Sequence, residues 1–260
     1  MARGPKKHLK RVTAPHSWLM NKMGGNFAVR PAQGPHRLKE SIPLQVVLRD
    51  KLNLALNGRE AQIILHQKEG LIKVDKKIRR NHKYPVGFMD VIEIPKMKAN
   101  YRVLYDQKAR FTFVKITDAE AKFKLCKIEK KALGPNKLTY LVTHDGRTIR
   151  LADKDIKIGD TVKFNLEKNE VEDFIPMSVG NLAYCSDGNN RGRVGIIDHI
   201  NKFDNNFDLI TIKDANGHSF TTRTSYIVTI GRGGKSLITL PKRNGLSLSI
   251  IEEAAKREAD

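Results

Sequence analysis

Residues 41–95 read SIPLQVVLRDKLNLALNGREAQIILHQKEGLIKVDKKIRRNHKYPVGFMDVIEIP, and the spacing of the apolar residues changes partway through them. Leu44, Val47, Leu48 and Leu52 fall at helical spacing, with Arg49, Asp50 and Lys51 between them. Asn57-Gly58 interrupts the pattern, and Asn57 is suited to cap a second helix over about residues 59–66. On that helix Ala61, Ile64 and Leu65 would face the first. The period then drops from 3.6 to 2. Leu71-Ile72-Lys73-Val74 reads as a strand, Asp75-Lys76 as a tight turn, and Lys77-Ile78-Arg79 as the returning strand. Residues 87–94, GFMDVIEI, close the unit as a turn and a strand. The spacing thus predicts a small platform of two short helices and a few short strands, with Lys and Arg at most of its exposed positions.

Leu48-Arg49-Asp50-Lys51-Leu52, then Arg59-Glu60-Ala61, Ile72-Lys73-Val74-Asp75-Lys76-Lys77-Ile78 and Gly87-Phe88-Met89-Asp90-Val91-Ile92 stand in order. Together they resemble the S4-type RNA-binding module, which also occurs in pseudouridine synthases and bacterial tyrosyl-tRNA synthetases. Each fragment is weak alone; the ordered set is specific.

Charge points the same way. The chain carries 48 Lys+Arg against 28 Asp+Glu, a formal net charge of +20. A field of that sign calls for a polyanionic partner, nucleic acid or an anionic membrane surface. Hydrophobic residues at 40% allow true cores, so the chain is not a disordered basic tail. At roughly 150 residues per domain, 260 residues make two domains, or three if β modules are small. The two cysteines, Cys126 and Cys185, lie in no CxxC and have no zinc-type spacing, which points to ordinary buried thiols and no metal. No apolar run approaches the ~20 residues of a membrane span. The start, MARGPKKHLKRV, lacks the apolar core of a secretory signal, and Pro5, Pro15, Pro31, Pro35 and Gly24-Gly25 oppose an amphipathic presequence helix.

Residues 1–40 read as a basic, extended arm with nine cations (Arg3, Lys6, Lys7, Lys10, Arg11, Lys22, Arg30, Arg37 and Lys39) and a single acid, Glu40. Proline and glycine rule out one continuous helix or strand. Such an arm is expected to be mobile in the free protein, and Trp18, Leu19, Met20 and Phe27 favour its docking once bound. Against RNA its cations would follow the backbone while Trp18 stacks or fills gaps.

Residues 96–176 read as a β-rich, barrel-like module with a short helix starting at Thr117-Asp118-Ala119-Glu120, a turn at 134–137 and a hairpin at Asp145-Gly146. His144-Asp145 invites a catalytic reading; the hairpin turn accounts for both residues, and no nucleophile adjoins them. In residues 177–240, Asn181–Cys185 in numbers 181–185 and residues 193–200 are strands flanking a loop through Arg191 and Gly192, with further strands at 207–213, 219–222 and 226–230. This resembles the KOW motif of small SH3-like barrels, in which glycines such as Gly192 and Gly195 permit close backbone approach. Gly231-Arg232-Gly233-Gly234-Lys235-Ser236 ends like a phosphate-binding loop, but Thr229 stands where that loop needs glycine and the following residues read as extended. A basic loop facing RNA, through Arg232 and Lys235, accounts for it better. Residues 241–260 form a tail with a short charged helix.

The arm, the S4-type module and the KOW unit together resemble the archaeal/eukaryotic "e" type family of small-subunit ribosomal protein four. The likeness includes GPHRLKE at 34–40, YPVGFMDVI at 84–92, LVTHDGRTIR at 141–150 and KDANGHSF at 213–220, and the arm resembles the eukaryotic cytosolic form. The fold expected is α+β and multi-module: arm 1–40, S4-type module 41–95, central β module 96–176, KOW barrel 177–240 and tail 241–260. The resemblance implies a structural component of the cytosolic small ribosomal subunit that binds small-subunit rRNA and neighbouring ribosomal proteins, with assembly in the nucleolus. It implies no cofactor, catalytic residue, small-molecule substrate or membrane. Two rivals are an RNA-modifying enzyme, which needs a larger catalytic domain, and a KOW-type transcription elongation factor, which has no use for the arm. The residues expected to meet RNA are Arg3, Lys6, Lys7, Lys10, Arg11 and Trp18 of the arm; Arg49, Lys51, Arg59, Lys73, Lys76, Lys77 and Arg79 of the S4-type stretch; and Arg191, Gly192, Arg193, Arg232 and Lys235.

RNA binding should be steeply salt-dependent, each neutralised phosphate contributing about −0.7 to −0.9 to the slope of log K against log salt. If about half of the arm's cations reach phosphates, removing residues 2–30 should flatten that slope by about three units. Equal slopes for whole and truncated chains on one rRNA fragment would make the arm a protein-binding element instead.

Overall fold

The structure, a computed structural model, describes residues 4, 6–134, 138–150, 155–241 and 244–259, the last four as backbone alone. Arg3 and most of the turn at 134–137 lie outside the described residues. The chain divides into two compact units, Met1–Leu104 with Arg110–Pro176, and Tyr105–Ala109 with Met177–Asp260. Both are mostly β. The α+β label overstates the helices, which in the first unit are short.

In the first unit the expected leading helix runs as Leu44–Val46 and continues as a π-helical turn, Val47–Lys51. The second helix, Gly58–His66, begins at Asn57 in a capping box, with the Glu60 carboxylate accepting from the Leu56 and Asn57 amides at 2.8 and 3.4 Å. Ala61 and Leu65 are its buried residues. The strand Lys73–Val74 turns through Asp75 and Lys76, both at positive φ (51° and 64°), into Lys77–Ile78. Two consecutive left-handed residues make the tight hairpin whose twist matches its strands. This hairpin edges a five-stranded sheet that continues through Val91–Ile94, Ala99–Tyr105 and Phe111–Ile116. The sequence division at 95/96 therefore falls inside an antiparallel pairing, Ile94 opposite Ala99. A second five-stranded sheet runs in the order Thr148–Arg150, Thr139–Thr143, Phe123–Leu133, Thr161–Asn165, Glu170–Ile175. Val91 and Ile116 share a core with Cys126, Ile128, Leu141, Val162 and Phe164, so the two sheets bury one apolar interior. The helix expected from Thr117 is a single 3-10 turn, Glu120–Lys122. Arg102, wholly buried behind it, holds the Glu120 carboxylate at 3.1 Å and the Phe123 carbonyl at 3.0 Å.

The arm is not the freely mobile segment that its composition suggests. Leu9–Lys10 pairs with Phe27–Ala28, and the Arg11 guanidinium donates to the carbonyls of Gly25, Asn21 and Gly24 at 2.9, 2.8 and 2.5 Å. Trp18 is 0% exposed, and its indole N–H donates to the Ser41 carbonyl at 2.6 Å. Further on, the Ala32 amide donates to the Lys83 carbonyl at 2.8 Å, and Ser41–Pro43 pairs with Pro85–Gly87. Burying a whole indole fastens the segment to the body by hydrophobic burial that outweighs its proline-rich irregularity.

At the centre of this unit lies an ionic cluster. Lys124 Nζ, wholly buried, donates to Asp75 at 3.1 Å, Asp90 at 2.5 Å and Asp145 at 3.1 Å. Arg147 donates to Asp75 and Asp145, at 2.7 Å each, and His36 Nε2 stands 3.0 Å from both Asp90 oxygens. Backbone amides of Val91 and Gly87 supply further donors to Asp75 and Asp90, at 3.1 and 2.8 Å. Gly87 is required beside it, because a Cβ there would sit 2.2 Å from the His36 ring. The arm contributes His36, the 41–95 stretch Asp75 and Asp90, and the following sheet Lys124, Asp145 and Arg147.

The second unit is a six-stranded antiparallel sheet, ordered Ser219–Arg223, Leu209–Lys213, Val194–Asn201, Leu182–Cys185, Ile227–Arg232, Lys235–Ser236. Ala183, Cys185, Ile197, Ile210, Ile212 and Ile227 form its core. Phe207, expected to open a strand, instead lies in the preceding loop and is exposed. The terminal helix Ile250–Ala259 starts in a capping box, with the Ser249 amide donating to Glu252 Oε2 at 2.8 Å and the Glu252 amide to Ser249 Oγ at 3.3 Å.

Burial alone would lower the pKa of Lys124, but the three carboxylates outweigh it and hold it well above the usual lysine value. Burial alone would raise Asp90 and Asp145; His36 and Lys124 for Asp90, and chiefly Lys124 for Asp145, hold both well below the usual carboxylate range. The carboxylates' contribution is present above the unfolded value of about 3.9 and is lost as pH falls through the folded values; that of Lys124 is present below about 10.4 and is lost as pH rises through its folded value. Stability should thus be level in this respect between about pH 5 and 9 and fall below about pH 4. Lys124→Ala should cost about 3–5 kcal/mol in urea unfolding at pH 7, because it strands three carboxylates, and the deficit should shrink in acid.

Candidate nucleic-acid interface

The fold sorts the expected RNA-contacting residues by whether their charge is already used. Lys6, Lys7 and Lys10 are exposed and make no ion pair among the described residues. Arg11 is spent on three carbonyls of its own loop, and Trp18 has no face open to a base. Both are corrected from RNA contacts to anchors of the arm. Removing residues 2–30 would therefore strip a structural anchor as well as charge. Joint substitution of Lys6, Lys7 and Lys10 by Ala is the cleaner removal.

In the 41–95 stretch, Arg59 and Lys77 are exposed, while Lys73 is half-buried on the strand opposite Lys77. Arg49 is held by its neighbour Asp50 at 2.6 and 2.8 Å. Lys51 is half-buried, and burial lowers its pKa. Lys76 bridges Glu93 at 2.7 Å and Glu167 at 3.4 Å, which marks it as structural, unlike its neighbour Lys77. Arg79 lies 4.5 Å over the Tyr84 ring, a cation–π contact that orients it. Arg80 and Lys83 are exposed here and were missed in the sequence, although the Arg79-Arg80 pair was its visible signal.

In the second unit the two loop arginines are likewise committed. Arg191 pairs with Asp187 and lies 4.7 Å from the Tyr105 ring centre. Arg193 pairs with Asp214 at 2.6 Å and lies 3.9 Å over the Phe220 ring. Their side chains are only 13% and 18% exposed, so they pin the loop and offer little to a phosphate. Gly192 has φ of 86°, and a Cβ there would meet the Asp106 carbonyl oxygen at 2.3 Å. Its close approach is to the chain's own backbone. Arg232 and Lys235 are exposed on a hairpin that turns through Gly233-Gly234, so the Gly-Lys-Ser sequence opens no helix. The sequence reading also missed Phe203 and Phe207, 46% and 60% exposed, with the Arg223 guanidinium 4.1 Å from the Phe207 ring. An exposed aromatic under an arginine suits base stacking, and only the loop geometry reveals it.

Cys126, His144 and Asp145 converge with donor atoms within 4.8 Å of one another. Each atom is committed. His144 Nδ1 accepts from the Lys127 amide at 3.2 Å, Asp145 serves Lys124 and Arg147, and burial pushes the Cys126 thiol well up. Burial also lowers His144 to about 4, so it is neutral at pH 7. The hairpin turn was thus an incomplete account of His144-Asp145: Asp145 belongs to the ionic cluster. A cation at Lys124 beside these donors opposes a metal ion rather than inviting one.

Three family descriptions match the chain: "RS4NT (NUC023) domain" over residues 3–39, "Ribosomal family S4e" over 97–171 and "40S ribosomal protein S4 C-terminus" over 214–260. A Tetrahymena thermophila protein named "Small ribosomal subunit protein eS4" is 51% identical over 98% of this chain and 99% of its own length. The chain belongs to the ribosomal S4e family. A Schizosaccharomyces pombe S4e protein, "Small ribosomal subunit protein eS4A", is 50% identical over 100% of this chain and 98% of its own. The crystal structure of "30S ribosomal protein S4e" from Thermoplasma acidophilum, 35% identical, superposes with a TM-score of 0.65 over 76% of this chain and 99% of that one. The S4e fold is therefore archaeal as well as eukaryotic, and its mostly β character agrees with the sheets described above.

Of the adjacent lysines 76 and 77, the first is paired within the fold and the second is exposed with no ion pair among the described residues. Lys77→Ala should reduce the salt slope of rRNA binding by about 0.7–0.9. Lys76→Ala should lower the melting temperature and leave the slope unchanged. Filter binding over a salt series, with a thermal melt of each variant, checks both.

Proposed function

We propose that this chain is a structural constituent of the cytosolic small ribosomal subunit, binding its rRNA chiefly through phosphates. The observation that carries this is the full-length likeness, near 50% identity, to proteins named as small ribosomal subunit protein eS4. The net charge of +20, and the exposed Lys6, Lys7, Lys10 and Lys77 with no ion pair among the described residues, support RNA as the partner. In this reading residues 41–95 act as an S4-type module and 177–240 as a KOW module. Their exposed cations contact rRNA, other exposed faces meet neighbouring ribosomal proteins, and assembly begins in the nucleolus. The role is architectural. The Cys126–His144–Asp145 cluster has its carboxylate tied to the buried Lys124, and Cys126 and Asp145 are buried, which favours this reading over an RNA-modifying enzyme.

Sucrose-gradient sedimentation of a cell lysate tests the proposal. The tagged chain should travel with small subunits, whole ribosomes and polysomes. A chain found mostly at the top of the gradient, or with RNA polymerase, would overturn it.

A further inference from the structure

The first unit holds a cleft of about 540 Å³ in which Lys6, Lys7 and Lys83 converge with Arg30. Its walls come from the start of the arm, from residues 30–41 and from the loop before Pro85–Gly87, and they carry Lys6, Lys7, Arg30 and Lys83. No carboxylate lines it among the described residues. Arg30 makes one long contact, 3.4 Å to the His8 carbonyl, while Lys6, Lys7 and Lys83 make no ion pair among the described residues. Four cations drawn around one concavity repel one another, so an anion bound there relieves the repulsion. Ser41 also borders the cleft, and its hydroxyl is buried with no hydrogen-bond partner among the described residues. Leu38 adds an apolar wall. The volume lies within the ~300–1,000 Å³ of small-ligand sites and exceeds what a bare phosphate fills.

We infer that this cleft receives one nucleotide turned out of the rRNA stack, its phosphate held by Lys6, Lys7, Arg30 and Lys83 and its base set against the wall at Leu38. Unstacked nucleotides are the parts of folded RNA that a protein can enclose, since paired helices present only shape and backbone. The inference rests on the rRNA-binding reading and specifies one contact within it. Trp18 and His36, fixed by Ser41 and Asp90, hold the cleft's walls in place before RNA arrives.

The test uses the full-length chain and full-length small-subunit rRNA. Lys7→Glu with Lys83→Glu reverses two exposed charges and should leave the melting temperature unchanged. Affinity at about 0.1 M salt should fall about tenfold or more. In parallel, rRNA carrying 4-thiouridine should crosslink under ultraviolet light within residues 30–41 or at Lys83, and the crosslink should be lost in the double variant. Affinity within about twofold of the parent chain, while Lys77→Ala remains impaired, would overturn the cleft and leave the rRNA-binding reading standing. Titration with uridine monophosphate and with inorganic phosphate at constant ionic strength separates a free anion from RNA. Millimolar or tighter binding of either, with rRNA affinity unchanged in the double variant, would also overturn the inference. A parent chain that fails to bind the rRNA at all would overturn both readings, and that failure shows before any variant is made.

Discussion

A single buried ammonium group organises the first unit. Lys124 Nζ meets three carboxylates, and Arg147 and His36 complete the set around them. Desolvating so many charges is tolerated only when every one has partners with good geometry. The side chains come from the arm, from the 41–95 stretch and from the second sheet, so those segments must be placed together for the cluster to form. An apolar core alone would accept small shifts between its layers. A lysine that must satisfy three carboxylates accepts one register.

The same constraint gives the arm its place. His36 reaches Asp90 in the cluster, and Trp18 closes onto the Ser41 carbonyl. Between them the backbone is irregular, as its prolines and glycines dictate, yet it is tied at both points. Within that tied stretch Phe27–Ala28 pairs with Leu9–Lys10, so Lys10 leaves the fold from a defined position.

Charge in this protein therefore serves two purposes. Arg11, Lys76, Arg102, Lys124, Arg147, Arg191 and Arg193 are consumed internally by carbonyls, carboxylates and aromatic rings. Lys6, Lys7, Lys10 and Lys77 are left outward without an internal ion pair among the described residues. A net charge of +20 thus overstates the number of cations left outward and understates how many hold the fold together.

From the sequence alone came the local elements and the family. Period-3.6 and period-2 spacing placed the two helices and the hairpin at Asp75-Lys76, since each is set by residues within one or two turns of each other. The net charge and ordered motifs led to an RNA-binding ribosomal family, because composition and short-range order survive in one dimension. Tertiary structure decided which charges are free. Nothing near Lys76 in the chain distinguishes it from Lys77; Glu167, which helps to hold it, is 91 positions away. Trp18 read as a stacking residue until its indole was seen buried, and Asp145 read as a turn residue until Lys124 was seen beside it. Ion pairs and burial are properties of residues brought together across long separations, and they depend on desolvation, which a local pattern does not encode.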